Sequence, residues 1–322
     1  ERGAAEARRL MPREVVLDAA LGGTVHLPRP AAWTVTDEDG ATQSGQGYDI
    51  PFDATPGVFE VAFDDAPPGL VIVAPRRAPS IRDVVGRERL WGVMGPLYGL
   101  IGAQSLGVGD YADLGTAAAM MARHGADFFG INPIHARGAA LDGISPYSPS
   151  SRTALEPGHI DPRLVPSFEA CPAAQAVLAG AAPAIESARG EPLIDYALRD
   201  SVAAPALRAL WAHHTSAPGS AAMRAFADWQ AQQPGDLTRF ALFEALSLRL
   251  GSDWRWWGPD HDHPGAPSVA AFAETHAEEV AYHLWLQWLA DTQIAAAQAQ
   301  ARASGMALGL YLDLAVGVRP DG

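Results

Sequence analysis

Residues 90–115 read LWGVMGPLYGLIGAQSLGVGDYADLG, and residues 128–136 read FFGINPIHA. The spacing of apolar residues and glycines in these two stretches predicts the parts of one folding unit: a buried strand at 90–94, an amphipathic helix at 111–124 and a second strand at 128–133. Strand, helix and strand at this spacing are typical of a βαβ unit with parallel strands. The sequence therefore predicts an α/β fold.

The chain downstream of this unit is mostly helical. Long helical patterns run through residues 173–250 and 268–304, and a third buried strand is predicted at 307–318. In a parallel α/β sheet, the residues that contact a ligand gather at the carboxyl ends of the strands. We therefore expect the functional residues in the segments that follow the three strands: 98–110, 132–152 and 313–318.

The chain upstream of this unit has a different pattern. Between residues 15 and 74, short apolar runs alternate with Gly, Pro and Asp at intervals near ten residues. This spacing is typical of a small antiparallel β-sandwich, and GLVIVAPRRAP at 69–79 adds a last strand and a proline-flanked break. We predict a β-sandwich domain at 1–78 and a second domain at 79–322, as a length of 322 residues allows.

The charge balance excludes several functions. The chain has 23 basic and 37 acidic residues, a net charge of −14, and every basic residue is Arg. The lack of lysine excludes a Schiff-base lysine and a P-loop lysine. Nucleic-acid binding needs a positive face, so we predict no nucleic-acid partner. An acidic surface suits a neutral or small ligand.

The sequence also predicts a compartment. Cys171 is the only cysteine, so the chain has no internal disulfide, and we interpret it as a small core residue. No apolar run approaches the ~20 residues that span a bilayer, and ERGAAEARRL at 1–10 lacks the apolar centre of a signal peptide. We predict a cytoplasmic protein without a membrane partner. The missing initiator Met indicates a start inside a longer gene product, or trimming.

One loop motif indicates a ligand class. Residues 144–152, ISPYSPSSR, follow the second strand and combine hydroxyl groups, two prolines and one tyrosine. Hydroxyl donors and an aromatic face suit a sugar ring, which has polar edges and C–H faces. From composition alone the alternative is a capped turn with solvent-exposed serines.

This motif and three other blocks resemble a known family. LWGVMGPLYGLIGAQSLGVGDYADLG, FFGINPIHA with ISPYSPSSR, YHLWLQWLADTQIAAAQAQA at 282–301 and GLYLDLAVGVRPDG at 309–322 are similar to the bacterial 4-alpha-glucanotransferases, the amylomaltases of glycoside hydrolase family 77. The match keeps the family's order from about residue 90 to residue 322. The β-rich segment before it fits the extra N-terminal domain of the family members that carry the SPYSPSSR motif.

The resemblance implies a fold. The family is a (β/α)₈ barrel with insertions, so the strands predicted at 90–94, 128–133 and 308–316 would be its first three. The mainly helical segment at about 165–305 would be a family insertion. A whole barrel takes ~250 residues before insertions. We therefore expect an incomplete (β/α)₈ barrel, preceded by the small β-sandwich.

The resemblance also implies residue roles. Asp313 matches the carboxylate beside the donor-sugar subsite next to the cleaved bond, Tyr147 matches the aromatic residue that stacks on that sugar, and Ser145 matches a neighbouring loop contact. In the family, the nucleophilic Asp, the acid/base Glu and the stabilising Asp follow the third strand. We therefore assign no catalytic residue within 1–322 and expect the catalytic pair beyond Gly322.

The activity implied is that of a 4-alpha-glucanotransferase. Such an enzyme moves α-1,4-glucan segments to glucose or another glucan through a retaining double displacement. Its partners are α-1,4-glucans, maltooligosaccharides and glucose, and no cofactor is implied. The alternatives are an α-glucan hydrolase of the same clan and a non-catalytic glucan-binding fragment, which the chain as given could also be.

Several other residues have simpler interpretations. Asp110 precedes an amphipathic run and is predicted to cap that helix. Residues 95–102, GPLYGLIG, lack the polar residues expected beside Tyr98. No metal is predicted, because the spacing of His261, Asp262 and His263 matches no common zinc site. Trp254, Trp256 and Trp257 could form a platform for a sugar, but a tryptophan-rich turn within a helical segment more often packs in the core, and we predict core packing for them. Trp285 and Trp288, three residues apart on a helix, are also predicted to be buried.

Overall fold

A computed structural model describes residues 8–138 and 144–322. The chain divides into two compact units, Glu1–Gly86 and Arg87–Gly322. The division lies a few residues beyond the predicted boundary at 78/79, because helix α1 (Ile81–Val85) belongs to the first unit. Ser80 and Asp83 form a capping box at the start of α1, and Gly86, with φ 72°, ends it in the left-handed conformation.

Five strands build the first unit: β1 (Glu14–Asp18), β2 (Gly23–Thr36), β3 (Thr42–Phe52), β4 (Gly57–Phe63) and β5 (Gly69–Ala74). They belong to one sheet in the order β1-β5-β4-β2-β3. The β1–β5 pair is parallel, and the other pairs are antiparallel. An all-antiparallel arrangement was therefore the wrong expectation for β1, which follows the direction of β5 along the sheet edge.

The core of this unit follows the alternation of β2. Val25, Leu27, Trp33 and Val35 of β2 are buried, whereas their immediate neighbours are more exposed. The register of β2 against β3 shifts between His26 and Ala31, a segment that contains two prolines. Proline has no N–H to donate to the ladder, so the pairing is interrupted there.

Three short strands lie in the second unit: β6 (Gly92–Met94), β7 (Phe128–Gly130) and β8 (Gly309–Tyr311). They form a parallel sheet in the order β6-β7-β8, which confirms the predicted parallel strands. Each strand is shorter than predicted. β7 ends before Pro133, which has no N–H to donate to a neighbouring strand. The Pro133 carbonyl accepts a hydrogen bond from the side chain of Asn132 instead of from a strand.

Seven helices accompany the strands among the described residues of this unit: α2 (Tyr111–Arg123), α3 (Pro172–Arg189), α4 (Tyr196–Thr215), α5 (Ala221–Gln230), α6 (Gly235–Leu250), α7 (Pro267–Thr275) and α8 (Ala277–Ala303). Short 3₁₀ turns occur at Leu97–Gly99, Pro157–His159, Pro162–Leu164, Phe168–Ala170 and Trp254–Trp256. Asp110 accepts a hydrogen bond of 2.8 Å from the Asp113 N–H at the start of α2, which confirms the predicted cap.

The core of the second unit contains buried residues of α2, α4, α8 and β7. Trp285 and Leu210 are completely buried, Trp288 is nearly so, and Cys171 is also buried, as predicted for core residues. Gly115 on α2 allows close packing with α8, since an added Cβ would lie 3.3 Å from Ala297 Cα. Within the described part of the chain, no helix is long and apolar enough to cross a membrane.

Candidate functional site

The loops that follow β6 and β7 are joined by one buried amide. Asn132 Oδ1 accepts a hydrogen bond of 2.7 Å from the Leu97 N–H, and Asn132 Nδ2 donates one of 2.7 Å to the Pro133 carbonyl. The side chain is 7% exposed. A buried amide with both ends bonded holds the backbone around it in one arrangement. Asn132 therefore fixes the position of the two loops at the carboxyl edge of the sheet.

Backbone hydrogen bonds pair the chain on the two sides of the loop that follows β7. The Ala136 N–H donates to the Ala154 carbonyl (2.9 Å), the Glu156 N–H to the Ile134 carbonyl (2.8 Å) and the Ser150 N–H to the Ala136 carbonyl (2.8 Å). These bonds bring the chain before residue 138 alongside the chain after residue 150. We call residues 144–152 the Tyr147 loop. The hydrogen-bonded segments 134–138 and 150–156 form the base of this loop.

Ser145 and Tyr147 share one turn of the Tyr147 loop. The Tyr147 N–H donates to Ser145 Oγ at 3.3 Å, and the Ser148 N–H donates to the Ser145 carbonyl at 3.2 Å. Tyr147 is 59% exposed. The hydroxyl of Ser145 therefore supports the turn, and the aromatic ring of Tyr147 is accessible to a ligand.

Asp313 follows β8 on a second loop, residues 312–319, here called the Asp313 loop. Its side chain is exposed. Arg152 Nη1 donates at 3.3 Å to the carbonyls of Ala315 and Val316, and the Arg319 N–H donates at 2.8 Å to the Pro149 carbonyl. The structure thus joins the two loops that carry Ser145, Tyr147 and Asp313. The joining hydrogen bonds run through Arg152 and Arg319 rather than through the three predicted residues.

His135 lies between these loops and was not singled out by its sequence context. Burial lowers the pKa of His135, and the charge of Arg152 lowers it further, while the charge of Asp313 opposes both. Its Nε2 is buried and has no hydrogen-bond partner among residues 8–138 and 144–322. The imidazole of His135 therefore favours its neutral form. Together with Tyr98, Asn132, Ser145 and Tyr196 it lines a cleft of about 30 Å³.

Two glutamines of α8 support the chain beneath the site. Gln287 exchanges two hydrogen bonds of 2.8 Å with the backbone of Leu155, and Gln293 exchanges two of 2.9 Å with the backbone of Asp161. Both side chains are buried. Each amide satisfies a donor and an acceptor of irregular backbone that has no ladder partner. Glutamine on a helix usually faces water, so nothing in the sequence pattern points to this role.

The tryptophan-rich turn forms a separate cavity of about 510 Å³, with Trp254, Trp257 and His261 among its lining residues. Trp257 is buried as predicted, but Trp256 is 84% exposed, so core packing was the wrong expectation for it. Trp256 ends the one-turn 3₁₀ helix Trp254–Trp256, whereas Trp254 and Trp257 on either side of it are the tryptophans of this turn that join a buried apolar cluster. In the described ranges, no group of three or more His, Cys, Asp and Glu side chains could hold a metal ion.

Two carboxyl groups in the second unit have raised pKa values: Asp110, which is buried, and Glu244, which is half-buried. Burial, and then the charge of Glu156, raises the pKa of Glu244 on α6 to about 8, against the opposing charge of Arg137. Burial, and then the charges of Asp113 and Asp161, raises the pKa of Asp110 to about 7. Glu244 Oε1 has no hydrogen-bond partner in the part of the chain that is described. Removing a carboxylate from water without a partner favours its neutral form.

This arrangement predicts a stability that falls with rising pH. From its ordinary pKa of 4.5, an unfolded Glu244 ionises before the folded one does, so the stabilisation present at pH 4 is lost as pH rises towards 8. We expect Glu244→Gln to raise the melting temperature at pH 8.5 by roughly 2–4 °C relative to the wild-type protein, and to have a smaller effect at pH 5. Thermal unfolding at the two pH values measures the difference. Glu169→Gln, at an exposed position, is the matched control; equal pH slopes for wild type and Glu244→Gln would contradict the assignment.

The sequence is similar to those of known proteins over most of its length. Residues 95–322 match the family described as 4-alpha-glucanotransferase, glycoside hydrolase family 77. The 4-alpha-glucanotransferase of Mycobacterium tuberculosis is 33% identical over 299 residues, covering 89% of this chain and 40% of that protein. The 4-alpha-glucanotransferase of Haemophilus influenzae is 32% identical over 248 residues, covering 72% of this chain and 36% of that protein. The chain thus spans about two fifths of the length of these relatives.

Solved structures show a similar fold. The crystal structure of amylomaltase from Corynebacterium glutamicum superposes with a TM-score of 0.75 at 26% identity, covering 100% of this chain and 47% of that one. The amylomaltase from Streptococcus agalactiae, solved in complex with acarbose, superposes with a TM-score of 0.57 at 18% identity over 73% of this chain and 45% of that one. The chain has a mixed α/β fold similar to amylomaltase, and with the family match over 95–322 it belongs to the 4-alpha-glucanotransferases of glycoside hydrolase family 77.

Proposed function

We propose that this chain supplies one side of the sugar-binding site of a 4-alpha-glucanotransferase that transfers α-1,4-glucan segments to glucose or another glucan. One observation carries the proposal. In this chain, which belongs to the family, the Tyr147 loop and the Asp313 loop are hydrogen-bonded to each other at the carboxyl edge of the parallel sheet β6-β7-β8. Ligand sites of α/β folds occur at this edge.

The roles of three residues follow from this placement. Tyr147 offers an accessible aromatic face for stacking on a sugar, and Ser145 positions the turn that carries it. Asp313 is an exposed carboxylate on the neighbouring loop, suited to accept hydrogen bonds from the hydroxyls of the same sugar.

The reaction proposed for the whole protein is a retaining double displacement. A carboxylate attacks the anomeric carbon while a carboxylic acid protonates the leaving glycosidic oxygen, and the 4-hydroxyl of the acceptor then attacks the covalent intermediate. The acid, now a carboxylate, takes the proton of that hydroxyl. We place both carboxyl groups outside residues 1–322, in keeping with the family order implied by the sequence. The partners are α-1,4-glucans, maltooligosaccharides and glucose, and the reaction needs no cofactor.

The fold proposal has the same basis. We assign β6, β7 and β8 as the first three strands of a (β/α)₈ barrel and the helices of residues 165–305 as an insertion between the second and third strands. Residues 1–78 would be a separate β-rich domain, and the protein would act in the cytoplasm. The parallel strand order and the similarity to amylomaltase support this assignment.

Maltotriose distinguishes transfer from hydrolysis. We expect the full-length protein to convert maltotriose into glucose and longer maltooligosaccharides without changing the number of reducing ends, because each cleaved bond is replaced by a new one. Chromatography of the products and a reducing-end assay measure both quantities. Shorter sugars alone with a rising number of reducing ends would establish a hydrolase, and no conversion at all would favour a protein that only binds glucan.

A further inference from the structure

A half-buried arginine, Arg137, lies at the base of the Tyr147 loop. The Arg137 N–H donates to Glu156 Oε2 at 2.8 Å, and Arg137 Nε donates to Glu156 Oε1 at 3.3 Å. Arg137 Nη2 donates to Asp200 Oδ2. The same guanidinium thus contacts one carboxylate in the loop base and another on helix α4. Nothing in the surrounding sequence, HARG at 135–138, indicates this role.

The three side chains are well shielded from water. Those of Arg137, Glu156 and Asp200 are 17%, 10% and 26% exposed. Burial would lower the pKa of Arg137, but the charges of Glu156 and Asp200 raise it overall. Charge-assisted hydrogen bonds in such surroundings are stronger and shorter than exposed ones. Arg137 is therefore a charged connection between two acidic groups rather than a solvent-exposed side chain.

The connection joins two different parts of the second unit. Arg137 precedes the Tyr147 loop in the chain and Glu156 follows it, so their contact closes the base of the loop. Asp200 belongs to α4 (Tyr196–Thr215), in the helical segment between β7 and β8. Arg199, next to it, donates to the Ile160 carbonyl at 2.9 Å and reinforces the same junction.

Gly138, at the base of the loop, packs closely against Ser150. Gly138 has φ 74°, and an added Cβ would lie 2.9 Å from Ser150 Cβ and 3.6 Å from Glu244 Oε1. Beyond the base, Arg152 continues the connection to the Asp313 loop through the carbonyls of Ala315 and Val316. Displacement of the base would therefore be transmitted to both loops of the candidate site.

We propose that Arg137 is a positioning residue, which ties the Tyr147 loop to helix α4 through Glu156 and Asp200 and so sets the loop's place relative to Asp313. The inference rests on the proposed function, to which it adds a role for the helical segment in sugar binding. Arg137 does not itself contact the reacting atoms. A small misplacement of groups that hold a substrate is enough to weaken its binding in the reactive geometry.

The test uses the full-length protein and two readouts. We expect Arg137→Leu to raise the KM for maltotriose about tenfold with a smaller change in kcat, as loss of sugar positioning predicts. Partial unfolding would instead lower the apparent kcat at unchanged KM. Hydrogen–deuterium exchange of peptides covering residues 144–152 should become faster, while exchange in residues 14–74 stays unchanged.

Three further variants define the mechanism. Asp200→Asn removes the charge on α4 that contacts Arg137 and, at 3.7 Å, Arg199. It should reproduce the faster exchange in part, and its effect should be less than additive with that of Arg137→Leu, because the two residues share one contact. Arg137→Lys keeps the positive charge but cannot donate to both carboxylates with a planar guanidinium. It should therefore restore the KM and the slow exchange of residues 144–152 only in part. Arg255→Leu, which removes an arginine paired within its own turn with Asp253, is the matched control and should change neither readout.

The outcomes separate this proposal from the proposed function. Unchanged exchange of residues 144–152 in a folded Arg137→Leu protein overturns the positioning role, as does an unchanged KM. If Arg137→Leu does not fold, Asp200→Asn decides by the same readouts. If the wild-type protein does not convert maltotriose, the proposed function fails, and the exchange experiment alone then decides whether Arg137 holds the loop.

Discussion

Asp313→Asn in the full-length protein is expected to lower kcat for maltotriose by ~10²-fold or more while the protein remains folded. The side chain is exposed and lies beyond the end of β8, so its replacement by an isosteric amide removes little packing. The carboxylate is proposed to bind the reacting sugar more tightly in its distorted state than in the ground state. An interaction of that kind affects the rate rather than the KM.

Asp262→Asn is the matched control for this substitution. Asp262 lies on an exposed loop beside the Trp254 cavity and has no proposed contact with the reacting sugar. It should retain wild-type turnover, and melting temperatures of both variants report on folding. Near wild-type activity of Asp313→Asn, or equal losses in both variants, would exclude the role assigned to Asp313.

Tyr147→Ala is expected to weaken binding and turnover of maltooligosaccharides more than Tyr147→Phe does. Stacking depends on the ring, which Phe keeps, and the aromatic face contributes ~0.5–1.5 kcal/mol beyond its buried area. A difference of that size corresponds to roughly 2- to 10-fold in KM between the two variants. Tyr147 is largely exposed and its ring takes part in no described aromatic contact, so neither substitution should change the stability appreciably.

Steady-state kinetics with maltotriose on both variants measures this difference. Equal damage from Tyr147→Ala and Tyr147→Phe would mean that the hydroxyl group, through a hydrogen bond, carries the interaction. Wild-type behaviour of both variants would mean that the Tyr147 loop does not touch the sugar.

The sequence predicted the parallel strands and the capped helix because each rests on a local signal. The apolar runs at β6 and β7 and the Asp110 cap are set by neighbouring residues. Strand lengths and the β1–β5 pairing were not predictable in this way. They depend on which partner a strand meets far along the chain, and a pattern of period two gives no direction for that partner.

The site shows the same division. Ser145, Tyr147 and Asp313 are predicted from their motifs, and the structure adds that their loops are joined through Arg152. Gln287 and Arg137 were not found, since Gln and Arg usually face solvent and only the folded chain places them against irregular backbone and buried acids. Trp256 was assigned to the core with its neighbours in the tryptophan-rich turn, but only Trp254 and Trp257 join the apolar cluster there, and Trp256 is exposed.

The most direct test of the central claim is a crystal structure of the full-length protein with a bound maltooligosaccharide. We expect one glucose ring to stack on Tyr147 while its hydroxyl groups lie within hydrogen-bonding distance of the Asp313 carboxylate, with the Arg152 contact to the Asp313 loop intact. The nucleophile and the acid/base carboxyls should come from residues outside 1–322. A sugar bound elsewhere, for example in the Trp254 cavity with Tyr147 and Asp313 both free, would contradict the account.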